Sequence, residues 1–134
     1  AGLQLHVADA ATAPLPGPFH AAVSRFGVMF FDDPAAAFRN LRAALVPGGR
    51  LAFLCWQAVE RNDWLAVPAA AAFRVMPAPP APADPTLPGP FAFADAGRVG
   101  TILAAAGFRG VGIAAIDGRM RWPDLGVALD YLLE

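Results

Sequence analysis

Short, nearly continuous apolar runs alternate along this chain with stripes in which apolar residues return every third or fourth position. The first pattern suits parallel strands covered on both faces, and the second suits the helices that cover them. Leu3 to Val7 reads as a short strand ending in Ala8-Asp9-Ala10, followed by the turn-rich segment Pro14-Leu15-Pro16-Gly17-Pro18. A second strand is expected from Phe19 through Ala21, Ala22 and Val23 to about Ser24. Asp33-Pro34 marks a helix start, because Asp can accept the free amide hydrogens of a first turn and Pro lacks one that would go unpaired. Phe38, Leu41 and Leu45 make that helix's buried stripe, with Arg39 and Arg42 facing water. Val46-Pro47-Gly48-Gly49 should stop it, and a strand from Arg50 to Trp56 would complete a βαβ unit.

Further along, an alanine-rich helical region is expected from Val59 to Arg74, containing Trp64, Leu65 and Phe73. Seven of the fourteen prolines then fall between Pro77 and Pro90, where they forbid helix and strand interiors and imply a semi-extended insertion, a lid or a stiff loop. Asp95 is a helix cap, Val99, Ile102, Leu103 and Ala106 form one face, and Gly107 is the stop. Val111 to Ile116 reads as another strand, and Asp124 caps a last helix with Leu125, Ala128, Leu129 and Leu132 as its stripe. The order of elements is that of an α/β layer with a mostly parallel sheet flanked by helices.

Composition narrows the function classes. The 134 residues carry Lys+Arg 10 against Asp+Glu 11, so the clustered positive charge that a nucleic-acid backbone requires is lacking. No apolar stretch approaches the ~20 residues of a membrane span, and the first residues lack the basic region and apolar run of a secretory signal, so the expected location is cytoplasmic. Cys55, the single cysteine, sits inside the run Leu51 to Trp56 and is expected to be a buried, inert thiol.

In an open parallel sheet, small molecules bind beyond the carboxyl ends of the strands. Two places qualify. Asp9-Ala10 offers a carboxylate acceptor and a backbone N–H, a pairing that suits an adenine edge; alternatively, Asp9 caps the turn that follows it. Ser24-Arg25-Phe26-Gly27 offers a short hydroxyl, a cation, an aromatic wall and a glycine able to take an unusual turn; each also has a plain structural reading. His6 and His20 have no spaced Cys or His partners, so no metal site is expected. Ser24 lacks the glycines of a nucleophile elbow, and no catalytic residue is assigned.

The stretch Phe19 to Phe31, then Asp33-Pro34, then Phe38-Arg39-Asn40-Leu41-Arg42-Ala43-Ala44-Leu45-Val46-Pro47-Gly48-Gly49-Arg50-Leu51, resembles the class I S-adenosylmethionine-dependent methyltransferases. The likeness is close to their small-molecule branch, which includes the ubiquinone and menaquinone biosynthesis enzymes. Asp9-Ala10 before a proline-rich turn and Gly107-Phe108 before a strand fit the same family in the same order. The resemblance implies a partial Rossmann-like methyltransferase fold, with residues 1–134 as the C-terminal portion of the domain and a Pro-rich insertion at 77–90. It implies S-adenosyl-L-methionine as cofactor, with Asp9 on the adenine amine, Ala10 supplying the neighbouring backbone contact, and Ser24, Arg25 and Phe26 along the ribose and methionine portion. It implies methyl transfer, and the apolar surroundings of Val28 to Phe31 and Trp56 favour a small apolar acceptor, aromatic or lipid-like. Family members begin with a strand and a Gly-x-Gly-x-Gly loop, yet only eight residues precede Asp9. The sheet is therefore expected to be completed by a longer chain or by a partner such as a second copy. The competing expectation is a non-catalytic remnant that serves as an interaction or dimerisation module.

Overall fold

Phe19–Arg25 forms strand β1 and Leu45–Leu54 forms strand β2, and the two pair in parallel in a computed structural model that describes residues 2–78, 81, 84–119 and 121–133. Parallel neighbours require a crossover between them, and helix α1, Pro34–Ala43, provides it. The Asp33 carboxylate accepts the Ala36 N–H at 2.9 Å, and Pro34 takes the first helical position. Ala37 and Phe38 are fully buried on the inner face of α1, and Arg39 is exposed.

The Gly-rich stop of α1 differs from expectation in one respect. Phe19 pairs with Leu45 and Ala21 pairs with Arg50, so residues 46–49 loop out of β2 opposite His20 alone. Pro47-Gly48-Gly49 is therefore a bulge inside β2 rather than a turn in front of it, with Gly48 taking φ +80°. Leu45 consequently leaves the helix stripe and enters the strand.

Phe38 is the centre of the core. The rings of Phe53, Phe93, Phe31 and Phe108 surround it at centroid separations of 5.6, 5.9, 6.0 and 6.5 Å. Helix α3, Ala96–Ala105, closes this cluster with Val99 and Leu103, and Ala106 follows at its end. The Asp95 carboxylate accepts the N–H groups of Gly97 and Arg98, and Gly107 ends the helix at φ +87°. Arg42 fastens α1 to this corner by donating from Nε to the Gly107 carbonyl at 2.8 Å. Each aromatic or branched side chain so enclosed contributes roughly 1.5–3 kcal/mol relative to exposure.

Two expected strands do not form. Leu3 to Val7 is irregular, with Leu3, Leu5 and Val7 at 87%, 84% and 108% exposure. Val111 to Ile116 is likewise unpaired, with Val111 and Ile113 about half exposed and Ile116 mostly so. Among the described residues the sheet has two strands and neither segment pairs with the outer edge of either, and an unpaired strand exchanges no water hydrogen bonds for protein ones.

The insertion at 77–90 lies partly outside the described residues. Its end is ordered by the core: Gly89 donates its N–H to the Met29 carbonyl at 3.1 Å, and Ala92 and Phe93 are buried. A 3-10 turn at Val59–Arg61 leads into helix α2, Asp63–Phe73, which contains Pro68 and buries no residue. Helix α4, Leu125–Leu133, is capped by the Asp124 carboxylate on the Val127 N–H at 3.0 Å. Leu125 and Leu129 on α4 are exposed, and the side chain of Leu132 lies outside the described residues. The result is a small α/β domain, a parallel two-stranded sheet flanked by helices, consistent with a partial Rossmann-like fold.

Candidate functional site

Parallel pairing brings the carboxyl ends of β1 and β2 side by side, with Arg25 opposite Leu54 and the Phe26 N–H donating to the Leu54 carbonyl at 3.1 Å. Just past that bond the backbone of Phe26 turns left-handed, at φ +61°. Such a conformation is a true outlier for a bulky side chain. Gly27, the residue expected to take the unusual turn, has an ordinary φ of −86°. The turn at Phe26 lays its ring on Trp56, the second residue past β2, at 4.3 Å between centroids and 10° between planes. Trp56 in turn meets Trp64, in the first turn of α2, at 5.2 Å and 47°.

This aromatic shelf forms one wall of a broad cavity of about 1990 Å³, which runs along β2 and is bounded on its far side by residues 109–119. Ligand cavities are commonly about 300–1,000 Å³, so the space is wider than a single small molecule fills. Val67 and Phe93 also line it, and the exposed Arg61, in the turn before Trp64, pairs loosely with Asp117 at 3.8 Å. The Trp64 indole N–H is enclosed and has no hydrogen-bond partner among the described residues. Cys55 is half-buried with its sulfur 3.6 Å from the Phe93 carbonyl oxygen, and burial pushes its thiol pKa up.

Asp9 sits in a turn of its own making. One carboxylate oxygen accepts the Ala11 N–H and the other accepts the Thr12 hydroxyl, each at 2.8 Å. These two bonds hold its carboxyl below the usual carboxylate range, the Ala11 N–H having the larger effect. Asn40 fixes the loop to the middle of α1, donating from Nδ2 to the carbonyls of Ala10 at 3.0 Å and Ala13 at 2.9 Å.

Of the residues singled out in the sequence, Phe26 lines the large cavity, whereas Asp9, Ala10, Ser24 and Arg25 do not. Ser24 is half-buried on β1 opposite Phe53, and Arg25 is exposed. Neither that cavity nor a smaller one beside Leu15, Phe19 and Leu41 takes in Asp9 or Ser24. In donor chemistry, Asp9 and Ala10 fit an adenine edge: the ionised carboxylate keeps a lone pair free on each oxygen, and Ala10 carries a backbone N–H. Asp9 is exposed and Ala10 partly buried. Neither His6 nor His20 is enclosed, and no group of three or more His, Cys, Asp or Glu among the described residues could hold a metal ion.

Two further residues, Asn40 and Trp64, matter to this geometry and have no role assigned from the sequence, and Trp56 is read there only as part of the apolar surroundings of an acceptor. Asn40 gives a faint signal, a residue of poor helix propensity in the middle of a helix. Trp56 is hidden at the end of an apolar run, and Trp64 stands in an alanine-rich stretch where nothing marks its N–H as unpaired.

Comparison with known proteins bears on the front of the chain. Residues 1–53 match a family described as a methyltransferase domain. The matched stretch takes in the Asp9 loop, β1, α1 and all but the last residue of β2. No curated protein and no solved structure matches the chain. Residues 54–134, with the shelf residues Trp56 and Trp64, lie beyond the matched stretch.

Proposed function

We propose that this chain, whose residues 1–53 match a methyltransferase domain family, is of the class I S-adenosylmethionine-dependent kind and transfers a methyl group to a small apolar or aromatic acceptor as part of a longer or partner-completed enzyme. The observation that carries the reading is a coincidence of boundaries. The methyltransferase match ends one residue before β2 does, and the β1-α1-β2 unit it covers presents its two carboxyl ends side by side. We place it near the small-molecule branch, on the strength of the helix that leads into Val46-Pro47-Gly48-Gly49 and β2.

When bound, S-adenosylmethionine supplies an electrophilic methyl group on a sulfonium. In this reading Asp9 accepts from the adenine amine, the Ala10 N–H donates to the adjoining ring edge, and Ser24, Arg25 and Phe26 border the ribose and methionine portion. Asn40 acts through the loop, holding Ala10 and Ala13 to α1 so that Asp9 stays in register with the sheet. Methyl displacement asks mainly for approach geometry and exclusion of water, and the apolar wall of Phe26, Trp56 and Trp64 suits that task. No side chain is assigned as a general base.

A second reading, an interaction or dimerisation module without catalysis, is favoured by the exposed apolar side chains of Leu3, Leu5 and Val7 and of Val23 on β1, a strand whose outer edge is unpaired among the described residues. Isothermal titration with S-adenosylhomocysteine separates the two. Micromolar binding supports the enzyme, and no heat at millimolar ligand supports the module. Asp9→Asn should weaken that binding without changing the far-ultraviolet circular dichroism; unchanged affinity removes Asp9 from the site.

A further inference from the structure

We infer that the start of helix α2 is a binding point for a planar lactam or carboxamide, a ligand group that sets an N–H beside a C=O. The inference goes beyond the methyl-transfer reading and does not depend on it. Asn62 stands at the N-cap of this 11-residue helix and is 8% exposed. An N-cap Asn ordinarily turns its side-chain oxygen onto the N–H groups of the first turn. Here both hydrogens of Nδ2 are committed backwards, to the carbonyls of Gln57 and Ala58 at 2.9 Å each, and the side chain makes no capping bond. Turning the amide over would set its oxygen against those two carbonyls, so its orientation is fixed. Oδ1 is left without a donor among the described residues, yet, unlike the Trp64 indole nitrogen, it is not sealed from solvent.

The helix end supplies the other half of the point. The N–H groups of Leu65 and Ala66 both donate to the Asn62 carbonyl, whereas those of Asp63 and Trp64 donate to nothing among the described residues. An unpaired acceptor and the unpaired donors it would ordinarily serve thus meet at one helix start, where the helix dipole also favours a ligand oxygen. Asn62, Asp63 and Trp64 all line the large cavity, as do Trp56 and Phe26. A lactam edge matches this pattern with two separate atoms, its N–H donating to Asn62 Oδ1 and its carbonyl oxygen accepting from the helix. An ester in the same place presents oxygen to Oδ1, and two acceptors facing each other leave both unpaired. Flat apolar area around one donor–acceptor pair is the arrangement by which a mostly apolar site fixes a ligand's orientation.

The test uses 2-quinolinone, a planar lactam, and coumarin, in which a ring oxygen replaces the N–H, as probes on the intact protein labelled with nitrogen-15. In the wild type, 2-quinolinone should bind at least about tenfold more tightly than coumarin, which loses one hydrogen bond and sets its oxygen against Asn62. As it binds it should move the backbone amide resonances of Asp63 and Trp64 and the side-chain amide pair of Asn62. Asn62→Ala should bring the ratio of the two affinities to within about twofold of unity. A merely structural role for Asn62 would not move that ratio, because a loosened turn weakens both probes alike. Equal affinities in the wild type overturn the proposal, as does failure of 2-quinolinone to bind at millimolar concentration. So does a set of Asn62, Asp63 and Trp64 resonances that stays still while 2-quinolinone binds, or a ratio that survives Asn62→Ala. The wild-type affinities and resonances decide alone if the variant fails to fold.

Discussion

Helices α1 and α3 hold the core, whereas α2 and α4 lie outside it, although α2 and α4 are the more apolar pair. α1 contains two arginines and an asparagine among its ten residues and still supplies Phe38, the largest fully buried side chain. α2 is nearly all Ala, Val, Leu and aromatic, yet buries nothing. What separates them is sidedness. α1 gathers its large apolar residues on one stripe, which β2 and α3 can cover together, while α2 spreads Trp64, Leu65, Val67 and Phe73 around its circumference with Pro68 among them. A helix apolar on every side needs neighbours on every side. Among the described residues, α2 and α4 do not have them.

The largest effect that would sharpen this contrast is a pair of truncations. Phe38→Ala should cost about 3–5 kcal/mol, since a ring touched by four others leaves a cavity the surroundings cannot close. Leu129→Ala, in the more apolar α4, should shift stability by less than about 0.5 kcal/mol because the side chain is already half in water. Urea unfolding of both variants checks this, and similar losses would erase the distinction between the two helix pairs.

Next in size is Asn40→Ala, which removes the two side-chain bonds tying the Asp9 loop to α1. At about 0.5–1.5 kcal/mol per bond the expected loss is about 1–2 kcal/mol. Hydrogen exchange should rise through residues 9–13 while α1 keeps its protection. Exchange that rises equally in α1 would mean that Asn40 serves the helix and not the loop.

The two capping aspartates offer a smaller, cleaner comparison. Asp95→Ala should destabilise the whole domain by about 1 kcal/mol, because α3 is part of the core. Asp124→Ala removes the same kind of cap from α4 and should fray that helix alone, leaving the global unfolding midpoint in place. Circular dichroism and denaturant titration together distinguish the outcomes; a common shift in both variants would place α4 in the cooperative unit.

These contrasts also mark what the sequence could and could not convey. Asp33-Pro34, Asp95 and Gly107 act through bonds within their own turns, so local chemistry announces them, and the helices start and stop close to where it says. Leu3 to Val7 and Val111 to Ile116 have the apolar content of strands, but a strand exists only with a neighbour, and pairing is a property of the whole sheet. The bulge at residues 46–49 depends on the register between Phe19 and Leu45, which no local motif encodes. At the site, Phe26 was legible as an aromatic at a strand end. Its φ, its stack on Trp56 and the orphaned N–H of Trp64 arise from contacts between segments far apart in the chain.

The smallest effect concerns the Asp9 turn and is one of pH. The Ala11 N–H and the Thr12 hydroxyl stabilise the ionised carboxylate, so the folded pKa lies below its unfolded value. A depressed acid contributes stability that is fully present above the unfolded pKa and fades as pH falls through the folded one. The loop should therefore be unaffected near neutrality and loosen only in the acid range. Because Asp9 is fully exposed, water screens the gain, and the change should appear in the loop's own signals while the global midpoint stays fixed. Thr12→Val removes the weaker of the two bonds and should move the Asp9 titration, followed through the Ala11 amide shift, part of the way back toward an ordinary carboxylate. Asn40→Ala leaves both bonds to the carboxylate in place and should barely move it. If instead Asn40→Ala raises the titration as far as Thr12→Val does, the turn at Asp9 is held together by its anchorage to α1, and the carboxylate is ordered from outside rather than by its own hydrogen bonds.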